Sequence, residues 1–325
     1  MLRSPTPTLS EAIVATLTYS SLFDYALDAA QLHRFLVGHR ASREEIEDLL
    51  PNCVHIARYM RENVCYITLR GREELFEQRL VADTVSAEHW SRCLYYGGFL
   101  RAYPSIRMAL VTGSLAAGNS RIGADADLMC LVDDRRLWST WLVIRWLTRL
   151  SGGFSEPEFC LNYIVGPQKR QFPPSIYIAW ELAKAVPLFG GQHYFDILFQ
   201  NRWVYDYLPN AEDLVSRDLN VEPVRDRRGQ IAEWSARLLD TRIGGVVELV
   251  EELREKWVIK RKYGNSFAQK KAETEIKYHK ISRNVALLTR YSEELKRVGL
   301  SHLGLWYDVN ESIKSLQSQL SQGLK

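Results

Sequence analysis

No run of about 20 consecutive apolar residues, the length a helix needs to cross a bilayer, occurs in this 325-residue chain. The most apolar stretch, Leu137 to Leu150, is too short and carries Arg145 and Arg149, so it reads as a buried helix and no membrane partner is expected. Cysteine is scarce and scattered. The five residues, Cys53, Cys65, Cys93, Cys130 and Cys160, include no Cys-x-x-Cys pair, which argues against a zinc site and for free thiols in a reducing cytoplasm. Met1 to Ser10 is rich in Pro and Thr and lacks the basic and apolar regions of a secretory leader, so a cytoplasmic location is expected. A surplus of one charge is lacking too: a net charge of +3 is too slight to imply a nucleic-acid partner by itself. The remaining composition, 46% apolar and 25% charged, leaves ample core for two or three domains.

Two aliphatic runs with the character of buried strands organise the middle of the chain. The first, Arg107 to Thr112, ends on Gly113-Ser114; the second, Asp125 to Val132, opens with two carboxylates one residue apart. Side chains alternate along a strand, so Asp125 and Asp127 share a face with Cβ atoms roughly 7 Å apart. Such a pair stays ionised most easily around a cation, and hard oxygen donors that leave room for water and phosphate suit Mg²⁺. Gly113 permits close approach of backbone to a phosphate, and the Ser114 hydroxyl can donate to one. A Gly-Ser turn followed by solvated aspartates at a strand start is the plainer reading of the same residues.

Gly-Ser, a gap of about ten residues, then Asp-x-Asp resembles the signature of the DNA polymerase beta-like nucleotidyltransferase superfamily. The segments Cys160–Val165, Ser175–Ala183, Pro187–Gly190 and Asn201–Asn210 look like a bacterial branch of it. The resemblance is most specific over residues 107 to 132 and looser out to 210. It implies an α+β core with a small mixed sheet flanked by helices. It also implies Asp125 and Asp127 as ligands of Mg²⁺ or Mn²⁺, a nucleoside triphosphate such as ATP as substrate, and pyrophosphate as leaving group. In the family a helix begins near Gly113-Ser114 with its amides toward the triphosphate, which makes Asn119, Ser120 and Arg121 candidate phosphate donors. Family enzymes carry a third carboxylate on the next strand. Here that strand reads Glu158 to Val165, and the positional match is Asn162, which can ligate but cannot act as a base. Glu158 fits only with a four-residue shift; an outside carboxylate such as Glu181 is another source of a base. Losing a general base costs about 10²–10⁴ in rate, so both an active enzyme and a silent nucleotide sensor remain open.

Around that core, residues 1–82 read as a winged-helix-like domain: a helix capped by Ser10, one beginning at Asp28, a third capped by Ser42 with Glu45, then a hairpin turning at Arg61-Glu62-Asn63. The third helix is acidic (Arg43-Glu-Glu-Ile-Glu-Asp), which disfavours phosphate contact, so a structural or protein-contact role is expected over a DNA-binding regulator. Residues 83–215 form the expected nucleotidyltransferase core, with a helix over 83–104, Asp133-Asp134 capping the helix at Leu137, and another helix over 176–184. His89 reads as partly buried and Lys184 as solvated. Residues 216–325 are expected to be a helical C-terminal domain after a polar linker over 216–243. Its two helical patterns are Val246, Val247, Val250, Leu253 and Trp257, then Ile276 to Val298, and a polar tail follows. Residues 225–297 hold 18 Lys or Arg against 11 acids, and Lys256, Lys260, Arg261, Lys262, Lys270, Lys271, Lys277 and Lys280 would form a basic face. Since no aromatic-and-basic strip lies near the carboxylates, the acceptor is expected to be a small molecule or protein more than a nucleic acid.

Overall fold

Three capping boxes lay down the N-terminal helices of the computed structural model, which describes residues 6–151, 159–166, 170–213, 218–263, 275–277 and 281–303. Helix α1 (Leu9–Ser21) is capped by Thr8, whose amide donates to Glu11 at 2.8 Å while its hydroxyl accepts from the Glu11 amide at 3.3 Å. The expected cap, Ser10, has Ile13 three residues on and no carboxylate to reciprocate, so the helix starts earlier. Strand β1 (Leu27–Asp28) leads into α2 (Ala29–Arg34), where Asp28 and Gln31 form the second box. Ser42 and Glu45 form the third, opening α3 (Arg43–Leu49). Each such cap contributes about 1 kcal/mol. Strands β2 (Ile56–Arg61) and β3 (Val64–Leu69) make the expected hairpin, turning at Glu62 with φ +53°, and β1 adds to it in the order β1-β3-β2. Two residues are too few to show a period, so β1 left no trace in the sequence pattern.

Helix α4 (Glu74–Arg101) then runs unbroken through residue 82. A second sheet follows, built from β4 (Ile106–Thr112), the short helix α5 (Gly113–Ala117), β5 (Ala126–Val132), α6 (Leu137–Ser151), β6 (Phe159–Val165), α7 (Ile176–Lys184) and β7 (Val186–Phe189). Helices α8 (Gly191–Gln200), α9 (Val204–Tyr207), α10 (Arg227–Leu239) and α11 (Arg242–Tyr263) come next, then β8 (Glu275–Lys277) and α12 (Ile281–Arg297). The strand order is β7-β4-β5-β6-β8; only β5 and β6 run parallel. Pro187 is tolerated because β7 is an edge strand. The class is therefore α+β, with small sheets flanked by helices, and no described helix is long and apolar enough to cross a membrane.

The pleat sorts the core into two layers. Ala109, Val111, Leu128, Cys130 and Val132 pack with Phe99, Trp138 and Trp141 on one face. Met108, Leu110, Met129 and Leu131 face the other way, into a cluster that also holds Ile13 and Leu17 of α1, Trp180 of α7 and Tyr291 of α12. Tyr19 stands at the junction, its ring 4.7 Å from Trp180 and 5.2 Å from Tyr291, while Phe35 stacks on Trp180 at 4.6 Å. The N-terminal helices, the sheet and the C-terminal helix thus share one core.

Three local expectations change. The polar stretch read as a linker contains α10, capped by Asp226, which accepts from the Gly229 amide at 2.8 Å; Ala232 and Ala236 bury its narrow apolar side. Ile276 lies on β8, paired with Ile164, and not at the head of a helix. Asp133 does not cap α6: it pairs with Arg107 at 2.9 and 3.0 Å, and the α6 amides of Trp138 and Ser139 donate instead to Glu248 of α11, at 2.8 and 2.7 Å. A carboxylate from a distant helix took a place that local sequence offered to a neighbour. Of the expected basic face, Lys256 pairs with Glu252 at 2.6 Å, whereas Lys270, Lys271, Lys280 and the tail lie outside the described residues.

Candidate functional site

Thr112, the last residue of β4, is paired across the ladder with Asp127 of β5, so the chain leaves β4 beside that carboxylate. Gly113 makes the turn at φ +66°, and a Cβ there would lie 2.7 Å from Asp127 Cγ and 2.9 Å from its Cβ. Only glycine fits, both for its backbone angle and for the carboxylate pressed against it. Asp127 shares its strand face with Met129 and Leu131, the face covered by α1, α7 and α12. Asp125 sits one residue before β5 begins.

These residues open onto a cleft of about 710 Å³ lined by Gly113, Ser114, Asp125, Asp127, Glu181 and Lys184 among others. Both carboxylates, Asp125 and Asp127, therefore reach the same space as the Gly-Ser corner. The Ser114 hydroxyl has no partner among the described residues. Glu181 of α7 accepts from the Gly113 amide at 3.3 Å and from Lys184 Nζ at 2.7 Å, so it holds the corner from the opposite side. Lys184 is not the solvated residue its sequence suggested: its side chain is 11% exposed. Among the described residues no three His, Cys, Asp or Glu side chains gather closely enough to hold a metal by themselves. The acidic side chains that could hold a cation beside the Gly-Ser corner are Asp125 and Asp127, hard oxygen donors of the kind that suit Mg²⁺.

The cleft's other walls come from segments far away in sequence. Tyr19, Phe23 and Tyr25 enter from the N-terminal unit, Tyr177 and Trp180 from α7, and Arg290 from α12. Burial pushes the Tyr19 and Tyr25 hydroxyls well above their ordinary range, so both stay neutral, and Tyr25 donates a hydrogen bond to the Ala117 carbonyl at the end of α5. Gln31 joins it, donating to the same carbonyl at 3.1 Å. No sequence signal pointed to Arg290, because nothing local ties α12 to a loop 170 residues earlier.

The predicted phosphate donors divide. Asn119 and Arg121 line the cleft but are engaged with its rim: Asn119 donates to the Phe23 carbonyl at 3.0 Å and Arg121 pairs with Asp24 at 2.9 Å. Ser120 turns inward, 1% exposed, its amide donating to Ser86 of α4 at 3.0 Å, and it does not line the cleft. Asn162 lies at an irregularity of the parallel ladder. Leu128 pairs with Leu161 and Met129 with Tyr163, so Asn162 is the extra residue, and the residue opposite Asp127 is Cys160. The alternation that singled out Asn162 assumed an unbroken strand. Glu158 lies outside the described residues.

Comparison with known family models, with curated proteins and with solved structures returns no match.

Proposed function

We propose that the protein is a nucleotidyltransferase that moves a nucleoside monophosphate from a nucleoside triphosphate to a hydroxyl of a small-molecule or protein acceptor, releasing pyrophosphate. The observation that carries this reading is the seating of Asp127 against the Gly113 turn, with Asp125 and Ser114 opening onto the same cleft. The cleft's volume of about 710 Å³ falls in the range of small-molecule sites. Asp125 and Asp127 would hold a Mg²⁺ or Mn²⁺ ion, which when bound neutralises charge on the phosphates and on the departing pyrophosphate. The chain's own groups do the rest. Ser114 donates a hydrogen bond to a phosphate oxygen, and Arg290 offsets phosphate charge from the far wall. Glu181, which accepts hydrogen bonds from the Gly113 amide and Lys184, would take the proton of the attacking hydroxyl. Phe23 and Tyr177 give the cleft flat apolar surface for a base. The scattered free thiols fit a reducing cytoplasm.

The test is isothermal titration of the four Mg-nucleoside triphosphates into wild type and the Asp125→Ala/Asp127→Ala variant. Micromolar binding of at least one triphosphate by wild type, lost in the variant, is the expected result; equal binding by both proteins refutes the site.

A second reading has an observation of its own. The ladder sets Cys160, not a carboxylate, beside Asp127. A protein that binds the triphosphate without turning it over would have this arrangement. Pyrophosphate release separates the two: with triphosphate, Mg²⁺ and a small-metabolite extract, the enzyme releases it and the silent binder does not.

A further inference from the structure

Five apolar side chains of α11, Ile243, Val246, Val250, Leu253 and Trp257, recur at alternating intervals of three and four residues, the spacing of a coiled-coil seam. In an ordinary monomer such a stripe is turned into the core. Here it faces outward, with each side chain between 54% and 63% exposed. The opposite face of α11 carries the packing: Glu248 caps α6, and Glu255, 5% exposed, pairs with Arg145 of α6 at 3.1 Å. Leu249 on the same helix, 56% exposed, widens the stripe, and Ile231 and Trp234 on the neighbouring α10 are 66% and 64% exposed.

The patch is large. At roughly 100 Å² of exposed surface apiece, the six α11 side chains amount to about 600 Å², most of the roughly 800 Å² that each partner gives to a standard stable interface. Monomers rarely expose a contiguous apolar patch of more than about 300–600 Å². A heptad seam is also self-complementary, since a two-fold axis through its middle sets the same side chains against one another. Lys260 and Arg261 cluster at one end of it, so side-by-side parallel packing would oppose like charges, and antiparallel packing separates them.

We infer that α11 is the contact helix of a homodimer, packing antiparallel against the same helix of a second copy with Val250 near the two-fold axis. Sedimentation equilibrium on the full chain tests this. Wild type should sediment at twice the 37.5-kDa chain mass at micromolar concentration. Val250→Lys/Leu253→Lys should sediment as monomer, its dissociation constant raised at least about 100-fold, with unchanged circular dichroism because both positions are exposed. Val54→Lys, which removes an equally exposed apolar side chain from the β2–β3 region, should leave the dimer intact. A wild type that stays monomeric overturns the inference. That holds whether the seam is covered by the chain's own heptad-spaced Trp306, Val309, Ile313 and Leu316 or the monomer floats with phosphatidylserine vesicles. A dimer that survives the double substitution overturns it equally.

Discussion

Gly113 and Asp127 occupy adjoining space so tightly that Gly113 tolerates no added atom: a methyl there would fall 2.7 Å from the Asp127 carboxyl carbon. Gly113→Ala should therefore displace the carboxylate as well as strain a backbone held at φ +66°. We expect a loss of about 1–3 kcal/mol of stability and a triphosphate affinity weakened at least about tenfold. Gly71→Ala is the control: its φ is +85° but no atom lies within 4 Å, so it should cost only the backbone strain and leave affinity alone. Thermal unfolding and titration on both variants read out the difference.

Arg79 is the buried hub of the N-terminal unit. Its side chain is 6% exposed and donates to Asp83 at 2.8 Å, the Ala26 carbonyl at 2.6 Å and Gln31 at 2.8 Å, with the Tyr25 ring 4.8 Å away. Arg79→Met should destabilise the fold by about 2–4 kcal/mol, below the full cost of orphaning a buried charge because Asp83 is 35% exposed. Urea unfolding measures it; a loss under about 1 kcal/mol would mean that the network is solvated and idle.

Acid should weaken the α1 cap. Hydrogen bonds from Thr8, reinforced by His302, hold the Glu11 carboxyl below its ordinary 4.5. A lowered carboxyl gives stability that is present above the unfolded value and lost as the pH falls through the folded one. Thr8→Ala should thus cost about 1 kcal/mol near neutral pH, and that cost should shrink below pH 4.5. Stability curves of both proteins at pH 7 and pH 3.5 make the comparison.

Thiol chemistry should be confined by burial. Cys93 and Cys130 are fully buried, and burial pushes each thiol up to about 12. At pH 8 neither should react with iodoacetamide in the folded protein, and both should react in urea. Peptide mass mapping after brief labelling reads this directly. Rapid native labelling of Cys130 would mean that the central strand opens readily.

Legibility followed locality. Asp28, Ser42 and the hairpin could be found because a cap or turn is written within three or four residues. The Gly-Ser corner and the Asp-x-Asp pair were visible because each motif sits on one strand end. What escaped was whatever needed a partner elsewhere. Glu248 replaced Asp133 at the head of α6, and Arg290 reached the cleft from α12; Glu181 was named as a spare carboxylate, but its bond to the Gly113 amide was not. The β6 strand holds a different kind of hidden feature. One extra residue in the β5–β6 ladder shifts the parity on which a face assignment rests, and no single-strand pattern reveals it. The stripe on α11 was read correctly as helical, but spacing alone cannot tell a face turned inward from one turned out.

The bond from the Tyr25 hydroxyl to the Ala117 carbonyl ties the Gly-Ser turn and its short helix to a neighbourhood outside their own sheet. Whatever shifts Tyr25 shifts a hydrogen bond at the end of α5, and a ligand in the cleft that changes that bond is coupled in equal measure to the segment leading into β1, because thermodynamic linkage works in both directions. The small three-stranded sheet is in that sense a handle on the cleft, whatever eventually grasps it.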